Sequence, residues 1–148
     1  MTEYQLPWTS RLVIGHLLAD TAVTDLVGQN VYTDIAEGAY PCVQVVQFPG
    51  QVASSGSILW LQSDLVQVNA FGGSRSFAHD LAAACQLSLR GLSGSVTYTV
   101  GPTVASAVVT GVEIGGIGDR SDETFAPAKP FSHFDAVIAS HPLPAQGS

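Results

Sequence analysis

Charge is scarce in this chain. Only 11% of its 148 residues are charged, against roughly 25% in an ordinary globular domain, and the cations are limited to Arg11, Arg75, Arg90, Arg120 and Lys129. A formal charge of -7 with so few cations leaves no basic stripe to neutralise a run of phosphates, which excludes tight nucleic-acid binding. Cysteine is down to two, Cys42 and Cys85, far apart and in no CxxC or Cys/His spacing. That reads as two buried free thiols. No apolar run approaches the roughly 18 residues of a membrane-spanning helix, and the opening MTEYQLPW lacks a basic-then-apolar leader pattern. The expectation is a soluble protein made and kept in a cytoplasm, with no membrane partner.

What the chain does have is apolar and neutral polar residues. Its hydrophobic content of 46% and mean hydropathy of +0.28 suit a single domain that buries roughly 70% of its unfolded surface. With charge so sparse, much of the surface is small and polar or covered by partners. An acidic surface is also compatible with DNA sliding past without sticking, through like-charge repulsion.

Along the chain, an arm containing Trp8 leads to a helix that Thr9 or Ser10 can cap, with Val13, Ile14, Leu17 and Leu18 as its apolar stripe. A second short helix follows, with Thr21 as cap and Gly28 as a left-handed stop. Val31 and Tyr32 begin an extended piece, and CVQVVQF behind Pro41 favours a strand. Pro49 to Ser57 reads as a hairpin tip, and SILWLQSDLVQVNAF as one long strand or two short ones. Beyond Gly72 and Gly73, Ser74 or Ser76 caps a helix with Phe77, Leu81, Ala84, Cys85 and Leu89 at three- and four-residue steps. SVTYTV and AVVTGVEIGG are two further strands joined through Gly101 and Pro102. GIGDRSDETFAPAKP holds five charged residues without an apolar period and reads as an exposed contact loop. FSHFDAVIAS is a last strand. The predicted fold is α+β: a mainly antiparallel sheet with two principal helices packed on one face, in the order α-β-β-β-α-β-β-β. Residues 1–140 form one domain and 141–148 a flexible tail.

Motifs of chemistry are weak. Among the histidines His16, His79, His133 and His141 none has HxxxH, HExxH or HxH spacing. His133 and Asp135 share one strand face and are the sharpest local pair, whereas His79 and Asp80 diverge on a helix. The Ser-Gly-Ser runs at 55–57 and 93–95 lack a strand-to-helix elbow, and the glycines at 111, 115, 116 and 118 lack the Lys-Ser/Thr of a phosphate loop. No catalytic, cofactor-binding or metal residue is assigned, and the reading is not an enzyme. Exposure suggests instead an interface set: Trp8, Arg75, Asp119, Arg120, Asp122 and Glu123.

Taken in order, LLADTAVTDLVGQNVYTD, YPCVQVVQF, LVQVNAFGGSRSFAHDLAAACQLSLRGL and FSHFDAVIASHP resemble the tail terminator, or tail completion, proteins of long-tailed bacteriophages. The shared pattern is a helix ending in Ala-Asp, a short helix reaching Leu-Val-Gly, a Val-Tyr strand, a Tyr-Pro strand entry, an Arg-containing turn before an Ala-rich helix, and a closing strand. The resemblance implies a homohexameric ring in the virion, at the neck end of the tail, assembled in the host bacterial cytoplasm. Such a ring binds the tail-tube protein, stops its polymerisation and joins the head-tail connector or neck protein, with DNA passing through the lumen without specific binding. The alternatives are another neck or head-completion protein, a tail-tube protein, or a small ligand-binding domain or enzyme.

Overall fold

In the computed structural model the described residues are 8–33, 40–54, 60–100, 102–122 and 129–142; at 49–54, 60, 61, 100, 103, 120–122, 129 and 142 the description covers the backbone alone. The chain is α+β, and its described residues form three helices on a seven-stranded, mostly antiparallel sheet.

Helix α1 (Thr9–Leu18) buries Leu12, Val13, Ile14 and Leu17 on the sheet. Neither Thr9 nor Ser10 caps it, because both lie inside the helix, behind Trp8 at the N-cap position, and both are buried. The Thr9 hydroxyl is taken up by Asp64 across the core at 2.5 Å, and the Ser10 amide is satisfied by Gln47 Oε1 at 2.8 Å. One orphan amide of this helix end, that of Ser10, is thus served by a strand side chain and not by a local cap. Helix α2 (Thr21–Val27) is capped one residue earlier than expected: Asp20 Oδ1 accepts from the Ala22 amide at 2.9 Å, while Thr21 is exposed. Gly28 ends it at a positive φ of 61°, but with ψ -127° and so not in the left-handed helical conformation expected.

Strand β1 (Val31–Tyr32) pairs in parallel with β2 (Cys42–Ser54), which forms a long antiparallel hairpin with β3 (Trp60–Phe71). The expected break at Pro49 is not there. The strand runs through Pro49 and Gly50 with a register shift between Phe48 and Gln51, and an irregularity near the sheet margin accommodates a proline's missing donor.

Helix α3 (Arg75–Arg90) is capped by Ser74, whose Oγ accepts from the Phe77 amide at 3.1 Å. A Cβ on Gly72 would stand 2.6 Å from Phe77 Cδ1 and 3.2 Å from the Ala78 nitrogen, so the strand-to-helix corner demands glycine. The fully buried stripe is Ala78, Leu81, Ala82, Cys85 and Leu89. It is rotated towards the alanines relative to expectation, leaving Phe77 and Ala84 only partly buried. Small side chains let the helix axis approach the sheet.

Strands β4 (Gly94–Val100) and β5 (Thr103–Ile114) form a hairpin, and β7 (Lys129–Pro142) lies between β3 and β5, giving the order β1-β2-β3-β7-β5-β4. A further strand, β6 (Gly118–Asp122), pairs with the first part of β7, from Lys129 to His133. The segment read as an exposed loop therefore opens as a strand: residues 118–122 find backbone partners on β7 although their side chains show no alternation of apolar and polar. Residues 123–128 and 143–148 lie outside the described residues, and the closing strand reaches Pro142.

The core lies between the helices and the sheet face formed by Val43, Val45, Val66, Val68, Phe134, Ala136 and Ile138, with Phe134 the largest fully buried side chain. The other sheet face carries no described helix. There, cross-strand register lines up Phe48, Leu65, Val137 and Glu113 in one row and Gln44, Asn69, His133 and Gly118 in another.

Candidate assembly interface

Three places combine exposure with organised polar contacts. The first is the corner where the start of α3 meets β6 and β7. Asp119 on β6 accepts a hydrogen bond from Ser132 Oγ at 2.5 Å and stands 3.5 Å from His79 Nδ1 on α3. The Ser132 hydroxyl, then His79 and the positive charge of Arg75, hold the Asp119 carboxyl below its usual value near 3.8. Arg75 is the first residue of α3 and is exposed. Two of the interface residues read from the sequence, Arg75 and Asp119, thus share one patch, and His79 joins them. Both ends of the His79–Asp119 pair are well exposed, so it orients β6 against α3 and adds little stability.

The second place is the start of α1. The Trp8 side chain is 46% exposed, its amide donates to Tyr98 Oη at 3.1 Å, and the Arg11 guanidinium lies 5.3 Å from the ring centre. The cation fixes an aromatic face that remains open to a partner. Beneath it sits a buried polar hub that strand alternation alone could have located: Asp64 is 3% exposed and accepts from Thr9 Oγ1 at 2.5 Å and from Gln62 Nε2. Gln62, Asp64, Val66 and Val68 share one face, so the parity of β3 places the carboxyl inside.

The third is the helix-free sheet face, where Phe48 and Leu65 are 40% and 36% exposed. At one end of this face Phe71 stacks on Phe131 with centroids 4.9 Å apart, and His133 lies tilted 6.0 Å from Phe131. His133 and Asp135 do occupy one face, half-buried and exposed respectively, with no contact between them described.

Of the remaining residues proposed for the interface, Arg120 and Asp122 lie on β6, paired through the backbone with Phe131 and Lys129, while Glu123 lies outside the described residues. Among the described residues no group of three or more His, Cys, Asp or Glu could hold a metal ion. Both thiols are free and buried, and burial pushes Cys42 up to about 11 and Cys85 up to about 12. A thiol so raised is not a nucleophile at neutral pH. A cleft of about 220 Å³ lies beside Pro41, Gly73, Ser74 and Phe77; its one hydroxyl, on Ser74, already caps α3.

The chain shares its fold with a virion chain. The solved structure of the virion of a native gene transfer agent particle contains a chain that superimposes with a TM-score of 0.50 at 18% identity, over 87% of this chain and 92% of that one. No protein-family model matches the sequence. No curated protein matches it either.

Proposed function

We propose that this chain is a structural protein of a phage-like virion: a tail terminator that forms a hexameric ring at the neck end of the tail, caps the tail tube and meets the head-tail connector. The observation that carries this reading is the fold shared, over nearly the whole of both chains, with a component of a gene transfer agent virion. It agrees with the resemblance of the sequence to tail terminators, and with a surface whose exposed aromatic and aliphatic side chains suit burial against protein neighbours. A head-to-tail interface whose rotation closes makes a ring. Six copies, each at -7, give an acidic lumen along which DNA slides without binding.

In this reading Trp8, Arg75, Asp119, Arg120, Asp122 and Glu123 contact neighbouring subunits or the tube, and the protein performs no reaction. The test is the solution mass of the pure protein together with images of the particle. A closed ring seated between tube and connector is the expected result. Long tubes formed by the pure chain would make it a tube subunit instead, and a single copy both in solution and in the particle would end the proposal.

A further inference from the structure

Each margin of the sheet offers an uncharged stretch with no strand partner on its outer side among the described residues. At one, β4 carries the sequence GSVTYTV, without a charge, a proline or a register shift along its pairing with β5. At the other, β1 covers β2 only at Val43 and Gln44, so the outer edge of β2 is open, among the described residues, from Val45 to the irregularity after Phe48. That open stretch is equally uncharged. Bare edges of this kind pair with other chains, and proteins that remain alone protect them with charge, proline or a bulge.

Exposed apolar side chains gather at the same two margins. Five large ones are exposed among the described residues: Trp8, Phe48, Leu65, Leu87 and Val104. Trp8 is bonded to Tyr98 of β4, and Val104 pairs with Thr99 of β4. Phe48 is on β2 and pairs with Leu65. Four of the five therefore flank an open edge, and the cross-strand registers put Val104, Phe48 and Leu65 on the same helix-free face.

Strand directions settle how such edges could meet. From β2 through β3, β7 and β5 to β4 every step is antiparallel, so β2 and β4 point the same way. A neighbour that keeps its helices on the same side and its strands in the same sense presents its β2 to this β4 in parallel. A two-fold contact of β4 with β4 would be antiparallel and would stop at two copies.

We propose that copies of this chain join head to tail by parallel pairing of the outer edge of β4 in one copy with Val45–Phe48 of β2 in the next, so that the sheet runs on from subunit to subunit. The proposal rests on the self-assembling reading given above and identifies the surfaces it uses. Val104 of one copy then lies on the same face as Phe48 and Leu65 of its neighbour, two and three strands away.

The experiment uses the full chain, whose own Cys42 and Cys85 are buried. Cysteine replaces Ser95, Thr97 or Thr99 on β4, and Val46 or Phe48 on β2, singly and in pairs, and a short bismaleimide is added. A double variant such as Thr97→Cys with Phe48→Cys is expected to give a covalent ladder ending at the copy number of the ring. Each single variant alone stays uncrosslinked, and a mixture of the two singles stops at dimers. Thr97→Lys with Thr99→Lys is expected to weaken association at least tenfold while circular dichroism and Tm of the subunit hold. Self-crosslinking of Thr97→Cys alone would overturn the proposal in favour of a two-fold contact. A ring by mass that yields no crosslink from any pair and ignores the lysines would overturn edge pairing and leave the ring standing. A chain that is single at every concentration and in the particle would remove the ring and the edge contact together.

Discussion

At Asp119 the carboxyl is held below its ordinary range by Ser132, His79 and Arg75, in that order. Its folded value lies under its unfolded value, so its contribution to stability is present above the ordinary carboxylate range and is lost as pH falls through the folded value. Asp119→Asn is expected to lower Tm slightly at neutral pH, with the difference from the parent closing below about pH 3.8; thermal melts across a pH series check it. Asp64 is buried and takes donors from Thr9 and Gln62. Thr9→Val removes one donor and is expected to cost about 2 kcal/mol, read from urea denaturation, whereas adding Asp64→Leu together with Gln62→Leu restores part of that loss because neither the Asp64 acceptor nor the Gln62 donor is left stranded. Individual residues were legible where local spacing governs them. Ser74 could be named as a cap because its partner lies three residues away, and the buried free thiols follow from lone cysteines inside apolar runs. Asp20, not Thr21, caps α2, a shift of one residue that depends on backbone geometry. His79 and Asp119 lie 40 positions apart, and nothing in the sequence around either one points to the other.

Among the elements, α3 is the most clearly written, since its cap and its apolar spacing agree. Ser74→Ala is expected to cost about 1 kcal/mol through the lost cap, again by denaturant titration. Strand β6 is the element that sequence patterning hides. Its residues are Gly118, Asp119, Arg120, Ser121 and Asp122, which have neither β-branched side chains nor alternation, and only the free edge of β7 makes them a strand. The extension of β2 past Pro49 is concealed in the same way, because proline ends a strand in the local view and is tolerated at an irregular margin. The charged sequence of β6 also carries a prediction about assembly. Arg120→Glu, on a strand whose pairing with β7 is through the backbone, is expected to weaken ring or tube contacts while the subunit keeps its Tm; assembly unchanged by sedimentation would remove Arg120 from the interface.

For the whole molecule, the α+β class, the helices on one face and the approximate order of elements were readable because each rests on periodicity. Strand order was not, since it depends on which long-range pairings win. Nothing local shows that the last strand slots between the third and the fifth. Of the residues proposed for an interface, Arg75 and Asp119 lie in one patch, a proximity that, like the open sheet margins, comes from topology. That topology has a further consequence for how the subunit breathes. β3 is flanked along its length by β2 and β7, and β7 by β3 on one side and by β5 and β6 in succession on the other. Backbone amides in these two central strands should therefore exchange with deuterium most slowly, and those of β4 and β1 soonest. If subunits are stitched together at the margins, assembly should slow exchange first where the lone subunit is loosest, leaving the centre nearly as it was.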